Sequence, residues 1–382
     1  MSEANYTERI IEKIKAAAPL DDALYQRLAG ELERSQSRPG YDERERLKVL
    51  VFDAREYDIE SLRGAASEAS VALHFVASAL DADSVETARG YKAICIFVND
   101  SCDRAVIERL AALGVELIAL RCAGYNNVDL EAADESGIAV TRVPEYSPSA
   151  VAEFTVGLML NLNRHFHQAY LRNRASHFVL DGLTGFDMRG KTVGIVGTGR
   201  IGRCVAEILT GFGCRVIGYD AFPDPDLERG EWFQYVELDE LWRDSEIITL
   251  HVPLFPETKY IVNADSIARM KPGVMLINTS RGGLVDTRAL IEELKSGRIG
   301  AAGLDVYEEE AGIFFQDYSD RVLTDDVLAR LLTFPNVIVT SHQAYLTREA
   351  LANIARSVLT SIEDYRAGRS GDELSNRVRP PR

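Results

Sequence analysis

Three short segments in the C-terminal half combine residue types able to move a hydride and a proton. They are Asn278-Thr-Ser-Arg281-Gly-Gly283, Asp305-Val-Tyr-Glu-Glu-Glu310 and Thr340-Ser-His342-Gln-Ala-Tyr345. An arginine can grip a carboxylate through two parallel N–H bonds and polarise a carbonyl beside it. A histidine can give or take a hydroxyl proton near neutral pH. A buried carboxylate beside that histidine would hold it protonated and oriented. Each residue also has a plain reading: Arg281 an ion pair, Asp305 a turn cap, Glu310 part of a solvated acidic run, His342 a core histidine. Their joint placement argues against the plain readings, because each segment directly follows an apolar, strand-like run.

The strongest single motif lies upstream, in Val193-Gly-Ile-Val-Gly197-Thr-Gly199-Arg-Ile-Gly202-Arg-Cys-Val205. A strand, a Gly-x-Gly-x-x-Gly turn and a helix start here in the order that binds a pyrophosphate. Gly197 permits the turn, Gly199 lets backbone approach phosphate, and Gly202 lets helix and strand pack closely. The next strand, Cys214-Arg-Val-Ile-Gly-Tyr-Asp220, ends in an acid 23 residues after Gly197. A carboxylate there can accept the adenosine-ribose hydroxyls and would repel a 2′-phosphate. Ala221 and Phe222 offer no cation to a phosphate, so the motif predicts NAD over NADP.

The elements that must position these groups follow from the hydrophobic pattern. Strands are expected at Lys48–Asp53, Val71–Phe75, Ala93–Val98, Glu116–Leu120 and Ile138–Thr141, with helical segments between them. A long helix from Ser149 to about Arg174 follows. Six further strands are expected at Thr192–Val196, Arg215–Tyr219, Glu246–Leu250, Val274–Asn278, Ala301–Leu304 and Val337–Val339, and a last helix from Arg348 to about Ala367. Such alternation predicts an α/β chain with a Rossmann-type, doubly wound parallel sheet and a second, smaller α/β unit. Ligands of such sheets lie beyond the carboxyl ends of the strands, where Arg281, Asp305, Glu310 and His342 all fall. Residues 1–47 are polar with a weak apolar stripe and read as a helical extension.

Composition narrows the function. A net charge of −16 argues against nucleic acid and against an anionic membrane surface. The longest apolar stretches are far below the ~20 residues that span a bilayer. The N-terminus carries no apolar signal core. Five cysteines, odd in number and without Cys-x-x-Cys spacing, read as reduced thiols of a cytoplasmic protein. The six histidines form no cluster of metal spacing, so no catalytic metal is expected. His251 follows a strand, where it would shape the nicotinamide–ribose wall.

From about residue 48 onward the chain resembles the D-isomer-specific 2-hydroxyacid dehydrogenases. The matching stretches are Arg121-Cys-Ala-Gly-Tyr-Asn-Asn-Val-Asp129, Val143-Pro-Glu-Tyr-Ser-Pro148, Gly197–Gly202, His251-Val-Pro-Leu254, Asn278–Gly283, Gly303-Leu-Asp-Val-Tyr-Glu308 and the segment at His342. A narrower likeness to the fermentative D-lactate dehydrogenase branch rests on Cys95-Ile-Phe-Val-Asn-Asp100, Ile118–Gly124, Gly182-Leu-Thr-Gly-Phe186 and Phe314-Phe315.

The resemblance implies a flavodoxin-like substrate domain formed by residues 48–146 and 346–382, with an NAD-binding domain over 147–345. It implies that Arg281 binds the substrate's carboxylate and carbonyl, and that Glu310 pairs with His342, the acid/base. Ala123 and Gly124 would offer backbone N–H groups to the carboxylate, while Tyr146 and Tyr345 would line the pocket. Arg200, Ile201, Asp220, Val252, Pro253, Thr258, Thr279, Ser280 and Asp305 would contact the cofactor. The implied reaction is NADH-driven reduction of pyruvate to D-lactate by a homodimer or homotetramer. Glyoxylate, hydroxypyruvate or a branched 2-keto acid are alternative substrates, and a non-catalytic NAD(H) sensor is the alternative of a different class. Phe154, where the family often has histidine, Ser341, where proline is common, and residues 1–47 depart from the pattern.

Overall fold

The computed structural model describes residues 46–66, 70–228 and 232–380. The helical extension expected over residues 1–47 lies outside these, apart from Arg46 and Leu47, and Leu47 already begins the first strand.

The first sheet contains β1 (Leu47–Val51), β2 (Val71–Phe75), β3 (Ala93–Ile96), β4 (Leu117–Leu120) and β5 (Ala139–Thr141). The second contains β6 (Thr192–Val196), β7 (Arg215–Tyr219), β8 (Phe233–Tyr235), β9 (Ile247–Leu250), β10 (Val274–Asn278), β11 (Ile299–Leu304) and β12 (Val337–Val339). A short strand β13 (Arg377–Val378) returns to the first sheet antiparallel to β5; every other described pairing is parallel. The spatial orders are β13-β5-β4-β3-β1-β2 and β12-β11-β10-β9-β6-β7-β8. The first is the flavodoxin-like order with one added edge strand, and the second is the doubly wound dinucleotide order with one more. The eleven expected strands all form. The two not expected, β8 and β13, are edge strands of three and two residues, too short to carry a period.

The parallel strands read as continuous apolar runs because both faces are covered. In β10, Val274 and Leu276 enter one core while Met275 and Ile277 enter the other. Alternate side chains of a strand point to opposite faces, so a run without polar gaps is what such a strand requires.

Four helices matter for the site: α1 (Glu56–Ala66), α2 (Pro148–Arg164), α3 (Arg200–Gly211) and α4 (Arg348–Arg366). Ser147 caps α2 by accepting from the Ala150 N–H, and Pro148 supplies a pre-set first turn. Val151 of α2 enters the core of the first sheet, whereas Ala152, Val156, Met159 and Leu162 enter that of the second. The helix therefore serves both cores at once. It does not run on to Arg174 as expected. His165 adopts a left-handed conformation (φ 53°) and closes α2, and a second helix, Phe166–Arg174, follows with no buried residue. Without a core face, nothing holds that segment to the axis of α2. Helix α4 packs Ile354, Val358 and Ile362 back into the core of the first sheet, so the chain crosses between the cores twice.

Candidate active site at the facing strand ends

At the end of β6 the glycine turn has the properties expected of it. Gly197 has φ 95°, and its N–H donates to the Tyr219 carbonyl at 2.8 Å. A Cβ on Gly202 would lie 2.0 Å from the Gly197 carbonyl oxygen, so this helix–strand contact requires glycine. A Cβ on Gly199 would meet nothing within 4 Å. Gly199 caps α3 without a side chain, which leaves the first N–H groups of that helix facing open space. Arg200 forms an ion pair with Glu145 of the segment leading into α2, and Ile201 packs against the cores of both sheets.

At the end of β7, the Asp220 carboxylate is fixed by its neighbours. Oδ2 accepts from the Thr198 N–H (2.7 Å) and hydroxyl (3.1 Å), and Oδ1 accepts from the Phe222 N–H (2.9 Å). A carboxylate offers about four acceptor positions, so capacity remains for a ribose hydroxyl. The open cradle at Gly199, the unsatisfied helix start and the oriented carboxylate together fit a dinucleotide.

The next wall is a set of interlocked turns. Ser280 Oγ donates to the Val252 carbonyl (2.7 Å), Thr258 Oγ1 donates to that of Pro253 (2.7 Å), and the hydroxyls of Thr279 and Thr155 share a hydrogen bond of 2.8 Å. This joins the ends of β9 and β10 to α2. His251 sits within it, Nε2 2.9 Å from Thr249 Oγ1, and burial pulls its pKa down to about 3.

The titratable groups come from the ends of the adjacent strands β10, β11 and β12. His342 Nδ1 lies 2.9 Å from Glu310 Oε1, with both side chains about one-fifth exposed (19 % and 22 %). The pair is therefore shielded yet reachable. Glu310 Oε2 also accepts from the Tyr307 N–H at 3.2 Å, which fixes the carboxylate on its own turn. Asp305 is fully buried and holds the histidine segment. Its carboxylate accepts from Thr340 Oγ1 (2.6 Å), the Gln343 N–H (2.9 Å) and the Ala344 N–H (2.9 Å), and its carbonyl accepts from the His342 N–H (2.7 Å). Burial raises the Asp305 pKa, opposed first by the Thr340 hydrogen bond. These contacts explain how His342 keeps a left-handed backbone (φ 53°) that a side chain disfavours. Asn278 fixes the Arg281 loop: Oδ1 accepts from the Ser280 N–H and Nδ2 donates to the Arg281 carbonyl.

Arg281 reaches the first sheet. Its Nη2 would lie 2.8 Å from a Cβ built on Gly124, which places the guanidinium directly beside the Gly124 backbone. Arg142, which the sequence reading did not single out, secures that loop by donating to the Ala123 carbonyl (3.1 Å) and stacking on Tyr125. Tyr146 and Tyr345 meet edge to face at 6.1 Å, and Phe97 packs 6.1 Å from Tyr345. Arg121 lies over Phe97 at 4.7 Å, 1 % exposed, donating to the Asp53 carbonyl (2.6 Å) and facing Asp58 (3.3 Å). The only sign of this buried arginine in the sequence is a charge ending the fully apolar run Leu117-Ile-Ala-Leu120.

A family model for the D-isomer specific 2-hydroxyacid dehydrogenase NAD-binding domain matches residues 156–344. A 2-hydroxyacid dehydrogenase homolog of Haemophilus influenzae is 49% identical over 323 residues, covering 85% of this chain and 97% of that protein. The D-lactate dehydrogenase of Escherichia coli is 46% identical over 84% of this chain and 98% of its own length. Among solved structures, the pyruvate reductase of Chlamydomonas reinhardtii superposes with a TM-score of 0.82 at 46% identity, covering 87% of this chain and 99% of that one.

Proposed function

The chain belongs to the D-isomer-specific 2-hydroxyacid dehydrogenases, NAD-dependent oxidoreductases, and from that premise we propose that it reduces pyruvate to D-lactate. The observation that carries this reading is the 2.9 Å contact between Glu310 and His342, one strand-end away from Arg281. Residues 147–345 are assigned to the cofactor, and 48–146 with 346–382 to the substrate.

Bound NADH supplies the hydride. The chain's own residues supply the rest. Arg281 and the amides of Ala123 and Gly124 hold the substrate carboxylate, and the arginine polarises the carbonyl to be reduced. Glu310 occupies Nδ1 of His342, which leaves Nε2 to give its proton to the substrate oxygen. The rings of Phe97, Tyr146, Phe315 and Tyr345 crowd the space beside these groups, which supports a small acid such as pyruvate. Asp220, which forms no ion pair with a cation among the described residues, supports NAD rather than its phosphorylated form.

The chain is also proposed to act as a homodimer or homotetramer. Phe166, Tyr170, Leu171, Phe178 and Leu180 are all more than half exposed within one short stretch, which supports burial against a second copy. A cytoplasmic setting is supported by five free cysteines, four of them buried. Among the described residues no helix is long and apolar enough to cross a membrane.

NADH oxidation against a panel of 2-keto acids tests the reaction and its substrate together. Pyruvate should be preferred over glyoxylate, hydroxypyruvate and branched acids. Arg281→Lys keeps the charge but loses the planar fork, and should lower kcat/KM for pyruvate by about 10²-fold or more. Undiminished turnover in that variant would overturn the assignment.

A further inference from the structure

Phe315 occupies a position that neither core alone explains. It packs against the core of the first sheet and also against that of the second. Its ring lies 5.7 Å from Phe97, edge to face at 76°, and 6.2 Å from the imidazole of His342, tilted by 37°. Phe97 follows β3 of the first sheet and also carries the Arg121 guanidinium over its ring, 4.7 Å from the centroid. Phe315 itself has φ 64°, a left-handed conformation that a bulky side chain adopts only when its surroundings hold it.

The same turn carries Glu310. The N–H groups of Ile313 and Phe314 both donate to the Glu310 carbonyl, at 3.1 and 3.0 Å, and Phe314 is buried in the second core. Glu310 and Phe315 are thus fixed to one short, closed piece of backbone. A shift of Phe315 relative to Phe97 moves the carboxylate that meets Nδ1 of His342.

We propose that Phe315 is a positioning residue: its ring, docked on Phe97 across the cleft, sets the Glu310–His342 pair and covers the imidazole face. The proposal rests on the reading of that pair as the acid/base. It makes the contact between the two halves of the molecule a condition for proton transfer, because misplacing such a pair by about 1 Å is costly in rate.

The test uses Phe315→Ala, Phe97→Leu, the double variant and Phe315→Tyr in the full-length protein. Phe315→Ala should lower kcat for reduction about tenfold to a hundredfold, with NADH affinity, read by fluorescence titration, unchanged. Phe315→Tyr, which keeps the ring, should restore most of the rate. The double variant should lose no more than Phe315→Ala alone, since both substitutions break one contact. Additive losses, or a loss confined to KM, would overturn the proposal. Hydrogen exchange decides independently of turnover. Amides of residues 307–316 should exchange faster in Phe97→Leu than in the wild type, and equal rates would overturn the proposal. A wild-type chain inactive on every 2-keto acid would sink the reaction assigned above but leave the exchange result to decide the role of Phe315.

Discussion

His342 Nδ1 and Glu310 Oε1 are 2.9 Å apart although 32 residues separate them in the chain. Neither segment is held by the pair itself. Glu310 is fixed by the turn that follows β11, and the His342 segment is fixed by the buried carboxylate of Asp305. Both side chains are about four-fifths shielded from solvent, so the pair is positioned by its surroundings. Its value lies in orienting the imidazole and in placing a carboxylate charge beside it.

Glu310→Gln separates those two contributions from folding. Glutamine can still accept from Nδ1, so geometry persists, while the carboxylate charge beside the imidazole is gone. Reduction by NADH should fall about 10²-fold, because the carboxylate no longer supports proton transfer from the imidazole. Thermal stability should change little. Steady-state kinetics across pH, with an unfolding scan on the same sample, checks both, and a variant matching wild-type rates at every pH would refute the role given to Glu310.

Two glycines of the turn after β6 should behave in opposite ways. Gly202→Ala forces a Cβ to 2.0 Å from the Gly197 carbonyl oxygen, so helix α3 must move off β6. Overpacking of this kind costs about 1–3 kcal/mol, and the loss should appear in denaturant unfolding without any cofactor. Gly199→Ala meets no protein atom within 4 Å and its φ of −62° suits alanine. That variant should fold like the wild type and bind NADH poorly, because the methyl group fills the approach to the helix N-terminus. Calorimetric titration with NADH tests this, and full affinity in Gly199→Ala would show that the phosphates lie elsewhere.

The same contrast shows which parts of the molecule the sequence makes legible. Gly197, Gly199 and Gly202 are readable because each conformational demand falls on one residue within one strand–turn–helix unit. Arg281, Asp305 and His342 are readable as strand-end residues, since the apolar runs before them are long enough to identify. The break at His165 is not, because a left-handed residue other than glycine leaves no compositional mark. Nor is the buried setting of Arg121, whose partners Asp53, Asp58 and Phe97 come from the ends of β1 and β3 and from α1. The work of Asp305 in holding Thr340, Gln343 and Ala344 likewise depends on β11 and β12 being neighbours, a fact of topology rather than of local pattern.

Protonation of His251 should set part of the acid limit of stability. Its folded pKa, about 3, lies below the value near 6.5 of an unfolded histidine. As pH falls below about 6.5 the unfolded chain takes up a proton that the folded chain refuses, so stability is lost progressively down to about pH 3. Asp100 works in the opposite sense. Burial pushes its pKa up to about 6, so between pH 6 and about 4 the folded state gains the proton first and is favoured by acid. Because Asp100 is common to both proteins, its contribution cancels when the wild type is compared with His251→Gln. The wild-type unfolding midpoint should therefore fall faster than the variant's between pH 7 and pH 4.5. Parallel curves over that range would mean that His251 takes up a proton as readily in the folded protein as in the unfolded chain, against what its burial implies.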